Sequence, residues 1–177
     1  MTLPPAADVS PRPLTGVTAD AAFRAYGRYV AAIAMRLLGR DDEVDDVVQD
    51  VFLDAVRGLG SISDPGAVKA WLATVTVRTA RRRLRLRRVK AFLALDPARQ
   101  YDDVASPDAS PETRALLARV YALLDRLPVE LRLAWTLRHV EGETLEDVAA
   151  LCECSLATVK RRITAAHGAI GEAVGRG

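Results

Sequence analysis

The sequence predicts an all-α protein built as two small helical domains joined by a flexible linker, the second carrying a helix-turn-helix. Three observations predict it. Apolar residues recur at i, i+3, i+4 and i+7 through two blocks, about Asp20 to Ala91 and about Thr113 to Val174. No stretch alternates with a period of two, so no strand is expected. Prolines gather outside the blocks, four in the first nineteen residues and three in "LDPARQYDDVASPDASPE". With 177 residues, 50% hydrophobic and 27% charged, the chain can bury a core.

The elements follow in order. Residues 1–19 carry no helical period and are expected to be a disordered tail. The first domain, 20–91, opens on "YVAAIAMRLLG", which is short, is broken by Arg36 and follows no cationic leader, so a cytoplasmic chain is expected. Next comes "DDEVDDVVQDVFLDAV", with Val44, Val47, Val48, Val51, Phe52 and Ala55 on one helical stripe. Its seven carboxylates have no basic residue among them, and Asp42, Asp46, Asp50 and Asp54 stack at every fourth position. Each like-charge pair costs an isolated helix roughly 0.2–0.5 kcal/mol. Helix stability therefore does not explain the stripe, which leaves a solvated face, a docking surface or a metal or catalytic carboxylate pair as readings.

A further helix is anchored by Val68, Trp71, Leu72 and Val75 and runs into "VRTARRRLRLRRVK". Arg78, Arg81, Arg82, Arg83, Arg85, Arg87, Arg88 and Lys90 follow one another with no acid between them. Two or three cations would satisfy a helix C-terminus. Eight fit the neutralisation of phosphates, which draws its affinity from counterion release. Residues 20–91 hold 14 Lys/Arg against 9 Asp/Glu, whereas the linker, 92–112, holds 1 against 5.

The second domain, 113–177, contains "GETLEDVAALCECSLATVKRRITAAHGAI". Thr144 can cap a short helix, the chain turns at Glu153, and Ser155 can cap the next helix, whose inner face is Val159, Ile163, Ala166 and Ile170. That is a helix-turn-helix with Thr158, Lys160, Arg161, Arg162 and Thr164 early in its second helix, where reading helices meet base edges and phosphates. Cys152 and Cys154 lack the spacing of a redox pair or a zinc site and are expected to be ordinary reduced thiols. Glycine-rich phosphate loops and nucleophile elbows are absent from the sequence, so neither a catalytic residue, a metal nor a cofactor is expected.

The segments "DDVVQDVFLDAVRGL", "AWLATVTVRTA" and "LDRLPVELRLAWTLRHVEGETLEDVAALCECSLATVKRRI" together resemble the extracytoplasmic-function sigma factors of bacterial RNA polymerase. The resemblance implies a promoter-specificity subunit that binds core RNA polymerase and promoter DNA and is held in check by an anti-sigma factor. Asp45, Asp46, Gln49, Asp50 and Phe52 would dock on the largest polymerase subunit. Trp71, Arg78, Arg81, Arg82, Arg85 and Arg88 would contact and open the minus-ten element. Ser155, Thr158, Lys160, Arg161, Arg162 and Thr164 would face the minus-thirty-five element, and the acidic linker would thread toward the active-site cleft.

Two positions depart from the family pattern: Arg78 stands where an asparagine commonly receives a flipped base, and Ala165, Ala166 and His167 replace a late basic triplet. His167 is expected to sit idle on the helix surface. Two other kinds of protein remain as alternatives, a DNA-binding regulator that never joins polymerase and a metal-dependent nuclease using the Asp41 to Asp54 acids.

Overall fold

The computed structural model describes residues 18–93 and 109–175. Most of the expected tail and linker lie outside that range. Seven α-helices run in order: α1 (Ala19–Leu38), α2 (Val44–Gly58), α3 (Val68–Phe92), α4 (Pro111–Leu124), α5 (Val129–His139), α6 (Leu145–Leu151) and α7 (Leu156–Gly175). Two short 3-10 turns, Leu59–Ser61 and Pro65–Ala67, join α2 to α3.

Local chemistry sets the helix ends. Thr18, Ser110 and Thr144 each accept a backbone N–H of the first turn, satisfying donors that have no partner within the helix. Pro111 sits at the start of α4, where its missing N–H costs nothing, so the last two residues of the expected linker, Pro111 and Glu112, form the first turn of that helix. At the other end of α1, Gly39 adopts φ +67° and its N–H returns to the Met35 carbonyl.

The first three helices pack on one another, and α5, α6 and α7 form the helix-turn-helix with α4 laid against α7. The two units also share one apolar core. Ala22, Leu37, Val47, Leu72 and Leu84 of the first are continuous with Leu133, Leu137, Val148 and Val159 of the second. The middle of α3 is accordingly covered on more than one side, with Thr76 and Thr79 buried and the Thr76 hydroxyl donating 2.7 Å to the Leu72 carbonyl.

The seam runs through the C-terminus of α1. Arg132 of α5, 2% exposed, donates to the Leu37 carbonyl at 3.0 and 3.2 Å and to the Leu38 carbonyl at 2.8 Å. Arg87 of α3 donates 2.9 Å to the same Leu38 carbonyl. Two guanidiniums therefore cap carbonyls that the helix leaves open, at the end where its dipole favours positive charge. Arg36 adds an ion pair to Glu141, and the Tyr121 hydroxyl donates 2.8 Å to the Arg36 carbonyl.

Candidate polymerase and nucleic-acid interfaces

The acids of α2 separate into two sets. Asp45 and Gln49, both exposed, border an open groove of about 570 Å³ between α1 and α2, floored by Phe52 and walled by Phe23, Leu53 and Val56. Phe23 and Phe52 meet edge to face at 5.0 Å, and Phe23, Leu53 and Val56 are at least half exposed. Asp46 and Asp50 face the other way. Asp50 accepts from Arg82 at 2.8 Å and from Arg83 at 3.1 Å, and Asp46 accepts from Arg83 at 3.2 Å. The sequence segment has no basic partner, but the fold supplies Arg82 and Arg83 from α3, which offset the repulsion between Asp46 and Asp50. Phe23, Leu53 and Val56 escaped sequence reasoning, although Leu53 and Val56 lie visibly off the buried stripe.

The basic row of α3 is not a uniform exposed face. Arg87 is buried, pairing with Glu43 at 2.8 Å as well as capping α1, so it belongs to the core and not to a nucleic-acid surface. Arg82, Arg85 and Arg88 are exposed. Together with Arg78, Arg81, Leu86 and Val89, Arg82 and Arg85 line a shallow apolar-floored groove of about 270 Å³. Trp71 lies half-buried against the end of α2, its ring so close to Gly58 that a Cβ there would stand 2.5 Å from it.

In the helix-turn-helix, Thr144 accepts from the Asp147 N–H at 3.1 Å while its hydroxyl donates to the Asp147 carboxylate at 2.6 Å. Ser155 accepts from the Thr158 N–H at 3.2 Å. Lys160, Arg161 and Thr164 are exposed along one side of α7, whereas Arg162 is partly covered, 3.4 Å from Glu130 and 3.4 Å from the Cys154 sulfur. His167 is not idle. Its Nδ1 accepts 3.2 Å from the Trp135 indole N–H, and its ring lies 4.9 Å from that of His139. Burial, with His167 and Arg138 nearby, holds the His139 imidazole below its ordinary pKa. Cys152 and Cys154 are free thiols, and burial pushes the Cys152 thiol up to about 11.

Among the described residues no three His, Cys, Asp or Glu side chains are arranged to hold a metal ion, and no helix is long and apolar enough to cross a membrane. The site residues lie on three surfaces: an acid-rimmed apolar groove, an arginine-lined helix and a helix-turn-helix.

Residues 22–89 match the model of Sigma-70 region 2, and residues 117–166 match that of Sigma-70, region 4. The chain is similar to the ECF RNA polymerase sigma-E factor of Escherichia coli, at 32% identity over 84% of this chain and 82% of that one. It is also similar to the RNA polymerase sigma-H factor of Pseudomonas aeruginosa, at 29% identity over the same shares. Two solved structures share the fold at 24% identity. One is the sigma factor RpoE in complex with the anti-sigma factor NepR from Bartonella quintana, with TM-score 0.60 over 85% of this chain and 92% of that one. The other is CnrH in complex with the cytosolic domain of CnrY, with TM-score 0.62 over 93% of each.

Proposed function

The chain is an RNA polymerase sigma factor of the sigma-70 family, in its extracytoplasmic-function branch, and on that premise we propose which surfaces perform each task. The groove between α1 and α2, rimmed by Asp45 and Gln49 and floored by Phe52, receives a helical element of core polymerase, and Asp46 and Asp50, which face α3 and not the groove, add to the acidic charge of α2. An apolar channel beside carboxylates suits an amphipathic helix with a basic flank. Complementary charge then sets orientation and encounter rate, which matters for a subunit that exchanges on a shared enzyme. The observation that carries this reading is the coexistence of half-exposed Phe23, Leu53 and Val56 with unsheltered acids on one face.

Trp71 with Arg78, Arg81, Arg82, Arg85 and Arg88 of α3 engages the upstream and minus-ten DNA, and Lys160, Arg161, Arg162 and Thr164 of α7, with Ser155 and Thr158 at its start, read the minus-thirty-five element. The chain works by binding, with strand opening driven by capture of unstacked bases and no covalent step. It acts with polymerase in the cytoplasm. One solved structure of the same fold is of a sigma factor in complex with an anti-sigma factor, and this chain is taken to have such a partner too. The test is run-off transcription from a library of genomic fragments with core enzyme alone and with the added chain. Start sites that depend on the chain support the assignment, and binding to DNA without any effect on polymerase would favour a stand-alone regulator.

A further inference from the structure

In this structure three of the arginines assigned to DNA, Arg78, Arg81 and Arg85 of α3, are paired with carboxylates of the opposite unit. Glu130, in the first turn of α5, accepts from Arg85 at 2.7 Å and lies 3.5 Å from Arg81, both on α3. Its other oxygen lies 3.4 Å from Arg162 of the reading helix. Glu153, in the turn between α6 and α7, pairs with Arg78 and lies 3.7 Å from Arg81, whose NH2 also donates 3.0 Å to the Cys152 carbonyl. The Arg78 hydrogen bond holds the Glu153 carboxyl below its ordinary value.

Glu153 is singled out by its backbone. At φ +53° it is the one non-glycine residue with positive φ among the described residues. Its Cβ is disfavoured there, and glycine or asparagine would serve the turn better. A glutamate at this position gives the turn nothing that glycine would not, but its carboxylate reaches across the seam to α3.

We propose that Glu130 and Glu153 form an acidic latch, which in the free chain neutralises Arg78, Arg81 and Arg85 of α3 and Arg162 of α7 and ties the two units together. The inference rests on the assignment of α3 and α7 as DNA-reading helices. Two carboxylates face four guanidiniums, so the cluster keeps a net positive charge that a polyanion can compete for. Each pair is also partly solvated and individually weak. The latch therefore opens when polymerase separates the two units or when phosphates replace the carboxylates.

The test measures binding of the full-length chain, without core enzyme, to a fluorescein-labelled random-sequence duplex at about 50 mM salt. Glu130→Gln/Glu153→Gln should tighten binding about tenfold over the wild type. Losing two negative charges has a general effect, so the control is Asp20→Asn/Glu146→Gln, which removes two exposed acids outside the latch. It should change affinity less than about threefold. Glu153→Gly removes the carboxylate and the backbone strain together, and should tighten binding while melting at or above the wild-type temperature, which rules out unfolding as the cause. Latch variants that bind no better than the control overturn the latch, while core-dependent transcription by the wild type leaves the sigma assignment intact. If the wild type drives no transcription, the assignment fails and the latch fails with it.

Discussion

The ring of Tyr121 lies so close over Gly39 that a Cβ on the glycine would stand 2.3 Å from its Cδ1. Gly39 also has φ +67°, so an alanine would meet the ring and the left-handed backbone penalty together. Gly39→Ala is expected to cost about 2–4 kcal/mol, the sum of a backbone term and an overpacking term. Denaturant unfolding measures it, and a wild-type midpoint would contradict the description of this seam.

Arg132 serves three acceptors at once, the carbonyls of Leu37 and Leu38 and the Asp125 carboxylate. Burial draws its guanidinium below the ordinary arginine value, so its charge is held at some expense and depends on those partners. Arg132→Met should destabilise by about 3 kcal/mol or more, because the Leu37 carbonyl loses its donor and Asp125 loses this pair. Arg132→Lys should recover only part of that, since an ammonium cannot fork to all three acceptors. Melting temperatures of both variants decide the matter.

The acids of α2 make unequal probes of polymerase binding. Reversing Asp46 and Asp50 to lysine would set cations against Arg82 and Arg83, so weakened binding by that variant would confound docking with packing. Asp45→Lys is the clean test: the residue is exposed on the groove side, and its reversal should shift stability by about 1 kcal/mol at most. Affinity for core enzyme should fall at least tenfold, since like charges across an interface cost several kcal/mol. Leu53→Asp should act in the same direction. Undiminished core affinity in both would remove the groove as the docking surface.

Replacing Arg82, Arg85 and Arg88 with alanine should weaken open-complex formation by the holoenzyme on all promoters alike. The plot of log affinity against log salt should become shallower by up to about 2–3 units of slope, at roughly 0.9 for each phosphate no longer neutralised. Arg87→Ala should behave differently, lowering stability through Glu43 and the Leu38 carbonyl. A salt slope unchanged by the triple variant would refute the phosphate assignment.

The His139 imidazole has a folded pKa lowered chiefly by burial, then by His167 and Arg138. The unfolded chain therefore takes up its proton at a higher pH than the folded chain does. Stability is full above about pH 6.5 and falls as the pH drops below that value toward the lowered one. The contribution of the Glu153 carboxyl runs to lower pH, disappearing only as the pH falls through a value already below the ordinary carboxylate one. Melting curves between pH 8 and 5 should show the loss in the wild type and less of it in His139→Gln. Equal pH dependence in the two proteins would exclude His139 as its source.

Much of this architecture was legible because it is local. The caps at Thr144 and Ser155, the buried stripe from Val44 to Ala55 and the glutamate turn all depend on residues a few positions apart. What could not be read was long-range. Arg87 stands in an unbroken basic run on the buried stripe of Val77, Ala80 and Leu84, but the groups that let an arginine be buried there, Glu43 and the end of α1, are more than forty residues away. His167 looked unsupported because Trp135, its donor, lies on another helix. The groove of Phe23 and Phe52 likewise needs two helices to exist. Asp46 and Asp50 met their arginines more than thirty residues away.

The hydrogen bond from Arg132 to the Leu37 carbonyl spans 95 positions. At a ribosomal rate of roughly 5–20 residues per second, the arginine leaves the ribosome about 5–20 s after the carbonyl it caps. During that interval α1, α2 and α3 emerge with the end of α1 hydrated and with Glu130 and Glu153 not yet clear of the ribosome. Every molecule therefore passes once, at birth, through a state in which the arginines of α3 face the cytosol with only the acids of α2 for company. Nascent chains stalled in that window would be the form of this protein most inclined to stick to ribosomal RNA.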